Sequence, residues 1–183
     1  MKMLKTWSYW EQAFYRQRWD LVVIGAGFTG LSTALHARRI HPNWRILVVD
    51  RAWPPEGAST KNAGFACYGT LGELRTDIQQ MGYNAALELL IQRWEGLQYL
   101  KDFAEPKDYD FLQKGGVEVF RADQVKEYED CLALKEQVNR DLQASFKTTV
   151  FKESNHHRHL RDAVSSIYSE PEANLNPYKL WST

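Results

Sequence analysis

The chain has 183 residues, 44% hydrophobic and 13% aromatic, enough for one sizeable core or for one domain with part of a second. Lysine plus arginine and aspartate plus glutamate balance at 23 each, so no basic field exists to attract nucleic acid or anionic lipid. The apolar runs are strand-sized, whereas a membrane-spanning helix needs about 20 apolar residues, so no membrane span is expected. Lys2 and Lys5 are followed by no apolar stretch of the kind a secretory signal carries. Cys67 and Cys131 lie far apart, which fits a reduced cytoplasmic protein better than a disulfide scaffold.

Residues 1–19 form an aromatic-rich arm (Trp7, Tyr9, Trp10, Phe14, Tyr15, Trp19), expected to pack on the outside of its own domain. Asp20 to Gly25 is a short β-branched apolar run, the pattern of a parallel strand buried on both faces. Thr29 to Arg39 reads as a helix with Leu31, Ala34 and Leu35 on one face and two arginines in its last turn, where cations complement the helix dipole. Trp44 to Asp50 is a second such strand, and strand, helix and strand together have the length of a βαβ unit. An irregular stretch runs from Pro54 to about Gly72. The Asn84 to Phe103 segment is a helix with Leu87, Leu90, Ile91, Trp94 and Leu97 at a 3.6-residue period. Tyr109 to Arg121 is expected to be a hairpin turning at Lys114-Gly115-Gly116. Asp123 is expected to cap a helix that buries Cys131, Leu134, Val138 and Leu142. Ala163 to Ser169 reads as a strand, and Asn176-Pro177 as an N-cap followed by proline at the first helical position.

Gly25-Ala26-Gly27-Phe28-Thr29-Gly30 is a G-x-G-x-x-G motif between the first strand and its helix, the context that gives the pattern meaning. Gly25 permits the tight turn, Gly27 lets backbone approach a pyrophosphate, and Gly30 lets helix and strand pack closely. The helix N-terminus, with Phe28 and Thr29, offers N–H groups and a partial positive charge to phosphates. Asp50, at the end of the second strand, can accept hydrogen bonds from a ribose and would repel a 2′-phosphate. Arg51 is a candidate to lie along adenine or ribose. These features are common to NAD and FAD proteins.

The segment Gly57-Ala58-Ser59-Thr60-Lys61-Asn62-Ala63-Gly64-Phe65-Ala66 resembles the loop after the second strand in D-amino-acid-oxidase-like (DAO) FAD-dependent oxidoreductases. The resemblance extends back through Val22 to Ser32 and Ser8 to Glu11, and forward, more faintly, through Gly115 to Glu118 and Leu175 to Pro177. It implies an α/β fold: a Rossmann-like FAD-binding βαβ unit plus part of an α+β substrate-binding domain, incomplete. It implies FAD as cofactor, with Ser59, Thr60, Lys61, Asn62, Ala63 and Gly64 against the flavin nucleotide. It also implies oxidation of a small-molecule amine or amino acid by hydride transfer. Physical chemistry agrees with that loop, since hydroxyls and a lysine suit phosphate oxygens and small residues let backbone pass a ring.

The expected organisation is an arm at 1–19, an FAD-binding portion at 20–82, and a partial substrate or cap domain with the start of a returning helix at 83–183. Only two convincing parallel strands are present, so the sequence reads as an N-terminal fragment, with a partner chain as one source of the missing half. The alternatives are a non-catalytic flavin-binding fragment, half of a split enzyme, or an NAD-dependent dehydrogenase. Catalytic residues are not assigned. No metal site is expected, since the spacing of His156, His157 and His159 lacks supporting cysteines or carboxylates. Cys67 reads as a buried, unreactive thiol.

Overall fold

The computed structural model describes residues 7–183, so the start of the N-terminal arm, 1–6, lies outside the described residues. Contacts divide the chain into two compact units, 1–61 and 62–183.

The first unit begins with helix α1 (Tyr9–Tyr15), whose entry is set by a capping box: Ser8 accepts from the Glu11 N–H, and Glu11 accepts from the Ser8 N–H. The arm is therefore partly helical. Its aromatic content is largely displayed rather than packed, with Trp7, Tyr9 and Trp10 exposed. Trp19 is the better-covered ring, edge-on to Phe14 and under the Arg45 guanidinium. Strand β1 (Leu21–Ile24) and strand β2 (Ile46–Val49) pair in parallel, Leu21 opposite Ile46 through Ile24 opposite Val49. Helix α2 (Phe28–Ile40) crosses between them, with Arg38 and Arg39 in its last turn as expected. Two-sided burial of these strands is corrected. Val23 is buried, but Ile24 is 88% exposed and β2 is only half-buried. Among the described residues this sheet has two strands, so their remaining edges and faces are uncovered. Leu35, expected on the packed face of α2, is also exposed, while Leu31 and Ala34 are half-buried.

The second unit is an antiparallel sheet packed on helices. Strands β4 (Gly116–Arg121), β5 (Phe151–Ser154) and β6 (Ala163–Ser169) are ordered β4-β6-β5. A two-stranded ribbon joins β3 (Phe65–Ala66) to β7 (Ala173–Asn174). Helices α3 (Leu71–Met81), α4 (Tyr83–Phe103) and α5 (Val125–Phe146) close the core, and α6 (Pro177–Ser182) ends the chain. The core gathers Tyr68, Leu71, Leu90, Val138, Leu142, Phe151 and Ile167, all at most 2% exposed. Helices α4 and α5 bury the faces read from their periodicity, with Leu90 and Leu97 in one and Cys131, Val138 and Leu142 in the other. Asn176 caps α6 by accepting from the Tyr178 and Lys179 N–H groups.

Three expectations fail here for physical reasons. The stretch taken as irregular up to Gly72 passes into helix α3. Its start was written in the sequence as Thr70-Leu71-Gly72-Glu73, a capping box that forms, with Thr70 accepting from the Glu73 N–H at 3.1 Å. The hairpin does not form. Pro106–Tyr109 is a short 3-10 turn, Leu112 bridges Asn174, and β4 pairs with the distant β6. Asp123 does not cap α5. It sits in a 3-10 turn where Gln124 accepts from the Arg121 N–H.

Candidate functional site

The glycine motif lies at the β1–α2 junction. The Gly25 N–H donates to the Val49 carbonyl at 2.7 Å, which continues the parallel pairing up to the turn. Gly25 then takes φ +106, a conformation that L side chains rarely adopt. A Cβ at Gly30 would overlap the Gly25 carbonyl and stand 3.2 Å from Val23, so the absence of a side chain lets α2 sit directly on β1. Gly27 is the N-cap of α2 and provides no side-chain cap. The N–H groups of the first turn are therefore left to acceptors from elsewhere.

Two side chains from later in the chain reach this turn. Asp50 Oδ2 accepts from the Ala26 N–H at 2.7 Å, and its Oδ1 accepts from the Ala52 N–H at 3.2 Å. The Ala26 bond, with help from Ala52, holds the exposed Asp50 carboxyl below the ordinary aspartate range, so it remains an anion and an acceptor. Ser59 Oγ accepts from the Phe28 N–H at 3.0 Å, and it lies 2.9 Å from where a Gly27 Cβ would stand. A hydroxyl from the loop after β2 thus occupies the anion-facing end of α2. It accepts there, and a hydroxyl that accepts retains its own O–H as a donor.

The other predicted residues are placed as follows. Thr29 is exposed, and its carbonyl accepts from Thr33 Oγ1. Arg51 and Lys61 are exposed. Thr60 donates its hydroxyl inward to the Pro55 carbonyl at 3.1 Å, stabilising the loop's own 3-10 turn. In the second unit, Asn62 and Ala63 are exposed, and Asn62 Oδ1 accepts from the Gly64 N–H at 2.8 Å. Gly64 has φ +74, and a Cβ there would overlap the Leu175 carbonyl. Its small size is used against β7, to which it is tied by the Leu175 N–H donating to the Gly64 carbonyl at 2.8 Å. Ala26, 1% exposed and the donor to Asp50, is the residue the motif-based reading passed over, although it occupies the first x of G-x-G.

Over residues 20–181 the sequence matches the family of FAD dependent oxidoreductases (DAO). The chain belongs to that family. FAD is therefore the cofactor to set against the geometry, and the first unit fits a dinucleotide. The cradle at Gly27 is one that a Cβ would crowd, the first turn of α2 has no side-chain cap of its own, and the Asp50 carboxylate is aimed at the same turn. No curated protein sequence matches the chain.

Solved structures share the fold at low identity. An iminodiacetate oxidase from a Chelativorans species matches with TM-score 0.52 and 16% identity, covering 88% of this chain and 42% of that one. An L-proline dehydrogenase from P. horikoshii matches with TM-score 0.52 and 10% identity, covering 91% and 40%. A glycine oxidase from Bacillus cereus matches with TM-score 0.54 and 14% identity, covering 90% and 43%. The chain spans about two fifths of the length of these structures. Among the described residues no helix is long and apolar enough to cross a membrane, and no group of three or more His, Cys, Asp or Glu is placed to hold a metal.

Proposed function

We propose that this chain carries the nucleotide-binding part of a flavoenzyme that oxidises a carbon–nitrogen bond of an amine or amino acid. The observation that carries the reading is the Gly25 to Gly30 turn with the Asp50 carboxylate bonded into it, inside a sequence of the DAO family. The oxidases and dehydrogenase that share its fold are named for iminodiacetate, glycine and L-proline, which is the chemical class proposed here for the substrate. Bound FAD supplies the hydride acceptor. Gly25, Gly27 and Gly30 let the backbone reach the pyrophosphate, and Phe28 and Thr29 open the helix whose N–H groups and dipole face it. Asp50 accepts from the ribose hydroxyls, and Arg51 flanks the adenosine. Ser59, Thr60, Lys61, Asn62, Ala63 and Gly64 line the rest of the nucleotide.

In this reading residues 1–19 are an arm, 20–82 the FAD-binding portion, and 83–183 part of a substrate or cap domain. Turnover is proposed for an assembly that includes the remaining part of the fold, on the same polypeptide or on a partner chain, and flavin binding without turnover for the 183 residues alone. A reducing cytoplasmic setting is proposed from the two unpaired cysteines, Cys67 and Cys131. The test is anaerobic mixing of the assembled, FAD-loaded protein with a panel of amines and amino acids. Bleaching of the flavin by members of that panel is expected. Bleaching only by substrates lacking nitrogen would overturn the substrate class, and binding of NAD with no affinity for flavin would overturn the cofactor.

A further inference from the structure

Two carboxyls in residues 62–183, the half-buried Glu118 and the buried Glu172, lie outside the candidate nucleotide site. Glu118, on β4, reaches the N-terminus of α3, where it accepts from the Thr70 hydroxyl at 2.9 Å and the Gly72 N–H at 3.1 Å. Glu172, in the turn between β6 and β7, is 9% exposed, and its buried Oε1 has no hydrogen-bond partner. Both line one cavity of about 10 Å³, together with Thr70, Gly116 and Ser169. That volume is at the floor for a single water. Two glycines make the room: a Cβ at Gly72 would overlap the Glu118 carboxylate, and one at Gly116 would overlap that of Glu172.

The charges around the pair are of its own sign. Glu73 on α3 and Glu118 on β4 both act on Glu172. Cys67, just after β3, is exposed and not buried as expected; its thiol feels Glu172 and Glu73, and the neighbouring Tyr68 hydroxyl is bonded to Ser169. Arg93 on α4 acts on Cys67 and is ion-paired with Asp77 at 3.6 Å. Among the described residues neither Glu118 nor Glu172 has a lysine or arginine ion-pair partner. A buried carboxylate with an unpartnered oxygen, no counter-charge and a second carboxylate on the same cavity is costly, and a proton is the neutralising particle that needs no volume.

We propose that the buried Glu172 carboxyl is held protonated beside an ionised Glu118, and that this neutral form keeps the Glu172 turn and strand β7 latched in place. Glu118, with two donors and the end of a helix, keeps the negative charge. Glu172, with its orphan oxygen, keeps the proton. Burial first, then Glu73 and Glu118, push the Glu172 carboxyl up to about 7. Burial raises Glu118 as well, against the downward pull of Gly72 and Thr70. The latch matters because β7 pairs with β3, Ala173 opposite Ala66, and the Leu175 N–H holds Gly64. Loss of that proton puts two like charges on one cavity, beside the strand next to Gly64.

The sign follows from a folded value above the unfolded one. The full contribution to stability is present below 4.5, declines as pH rises toward about 7, and is gone above that. The test compares the wild-type chain with Glu172→Gln. Across that window the wild-type folding constant is expected to fall relative to the variant by about tenfold per pH unit, then level off. Parallel pH profiles would overturn the proposal. Where Glu172→Gln fails to fold, infrared spectroscopy of the wild-type chain decides. A protonated-carboxyl band at slightly acidic pH that vanishes above neutrality is expected, and its absence overturns the protonated Glu172. The latch has its own readout. Above neutral pH the Leu175 amide is expected to exchange several-fold faster in wild type than in Glu172→Gln, and equal rates overturn that part.

Discussion

The two sheets of this chain are held in different ways. In residues 62–183 the antiparallel strands back onto α3, α4 and α5, and Phe151, Ile167 and Val138 are at most 1%, 2% and 0% exposed. In residues 1–61 two parallel strands and one helix leave Ile24 88% and Val22 48% exposed, and α2 contributes no fully buried residue. Yet it is the thinly covered unit that carries the geometry proposed for the nucleotide. Its turn is specified by short-range features: a glycine at φ +106, a helix set against a strand through Gly30, and a carboxylate on the Ala26 N–H. A site of this kind is specified by local backbone chemistry, and stability resides where apolar area is removed from water.

The comparison is broken most severely in the core. Leu142→Ala, at a position 0% exposed, is expected to cost about 3 kcal/mol in urea unfolding of the second unit, because a cavity remains where the side chain stood. The next effect is polar. Asn139 is buried, donates to the Phe151 carbonyl and accepts from the Phe151 N–H, both at 2.9 Å. Asn139→Ala leaves both backbone groups unpaired and is expected to cost about 2 kcal/mol by the same measurement. Thr70→Ala removes the α3 cap and one donor to Glu118, with an expected loss of about 1 kcal/mol. Smallest is Ile24→Ser, expected to change stability by less than about 0.5 kcal/mol because the side chain is already in water. A loss there as large as that of Leu142→Ala would show that β1 is covered in solution, and would erase the distinction between the units.

Much of the secondary structure was readable from the sequence alone. Helices α2, α4 and α5 were legible because an apolar period of 3.6 is a property of one segment, and β6 and α6 because their boundaries carry local punctuation. The glycine turn between β1 and α2 was legible for the same reason. What escaped was non-local. The Lys114-Gly115-Gly116 segment has the composition of a hairpin turn, but Gly115 is there to clear the Tyr168 ring and Gly116 to clear Glu172, both on the far side of α5 in sequence. The alternation of β4 says which residues share a face and nothing about which strand will pair with it. The Glu118–Glu172 pair was hidden likewise, since each glutamate alone reads as a surface charge. Solvent coverage of β1 and β2 was overstated, since an apolar run records what a strand prefers to meet and not what this segment meets. Helix α3 is a different failure, because its capping box was present in the sequence and went unread.

The account turns on whether a dinucleotide sits at the end of α2. Titration of the isotopically labelled chain with FAD, followed by amide chemical shifts, tests this most directly. The account predicts that the Ala26, Gly27 and Phe28 amides move together with Ala52, and that Asp50→Ala weakens the response. Saturation with FAD that leaves those amides unmoved, or that moves only residues of the second unit, would contradict it.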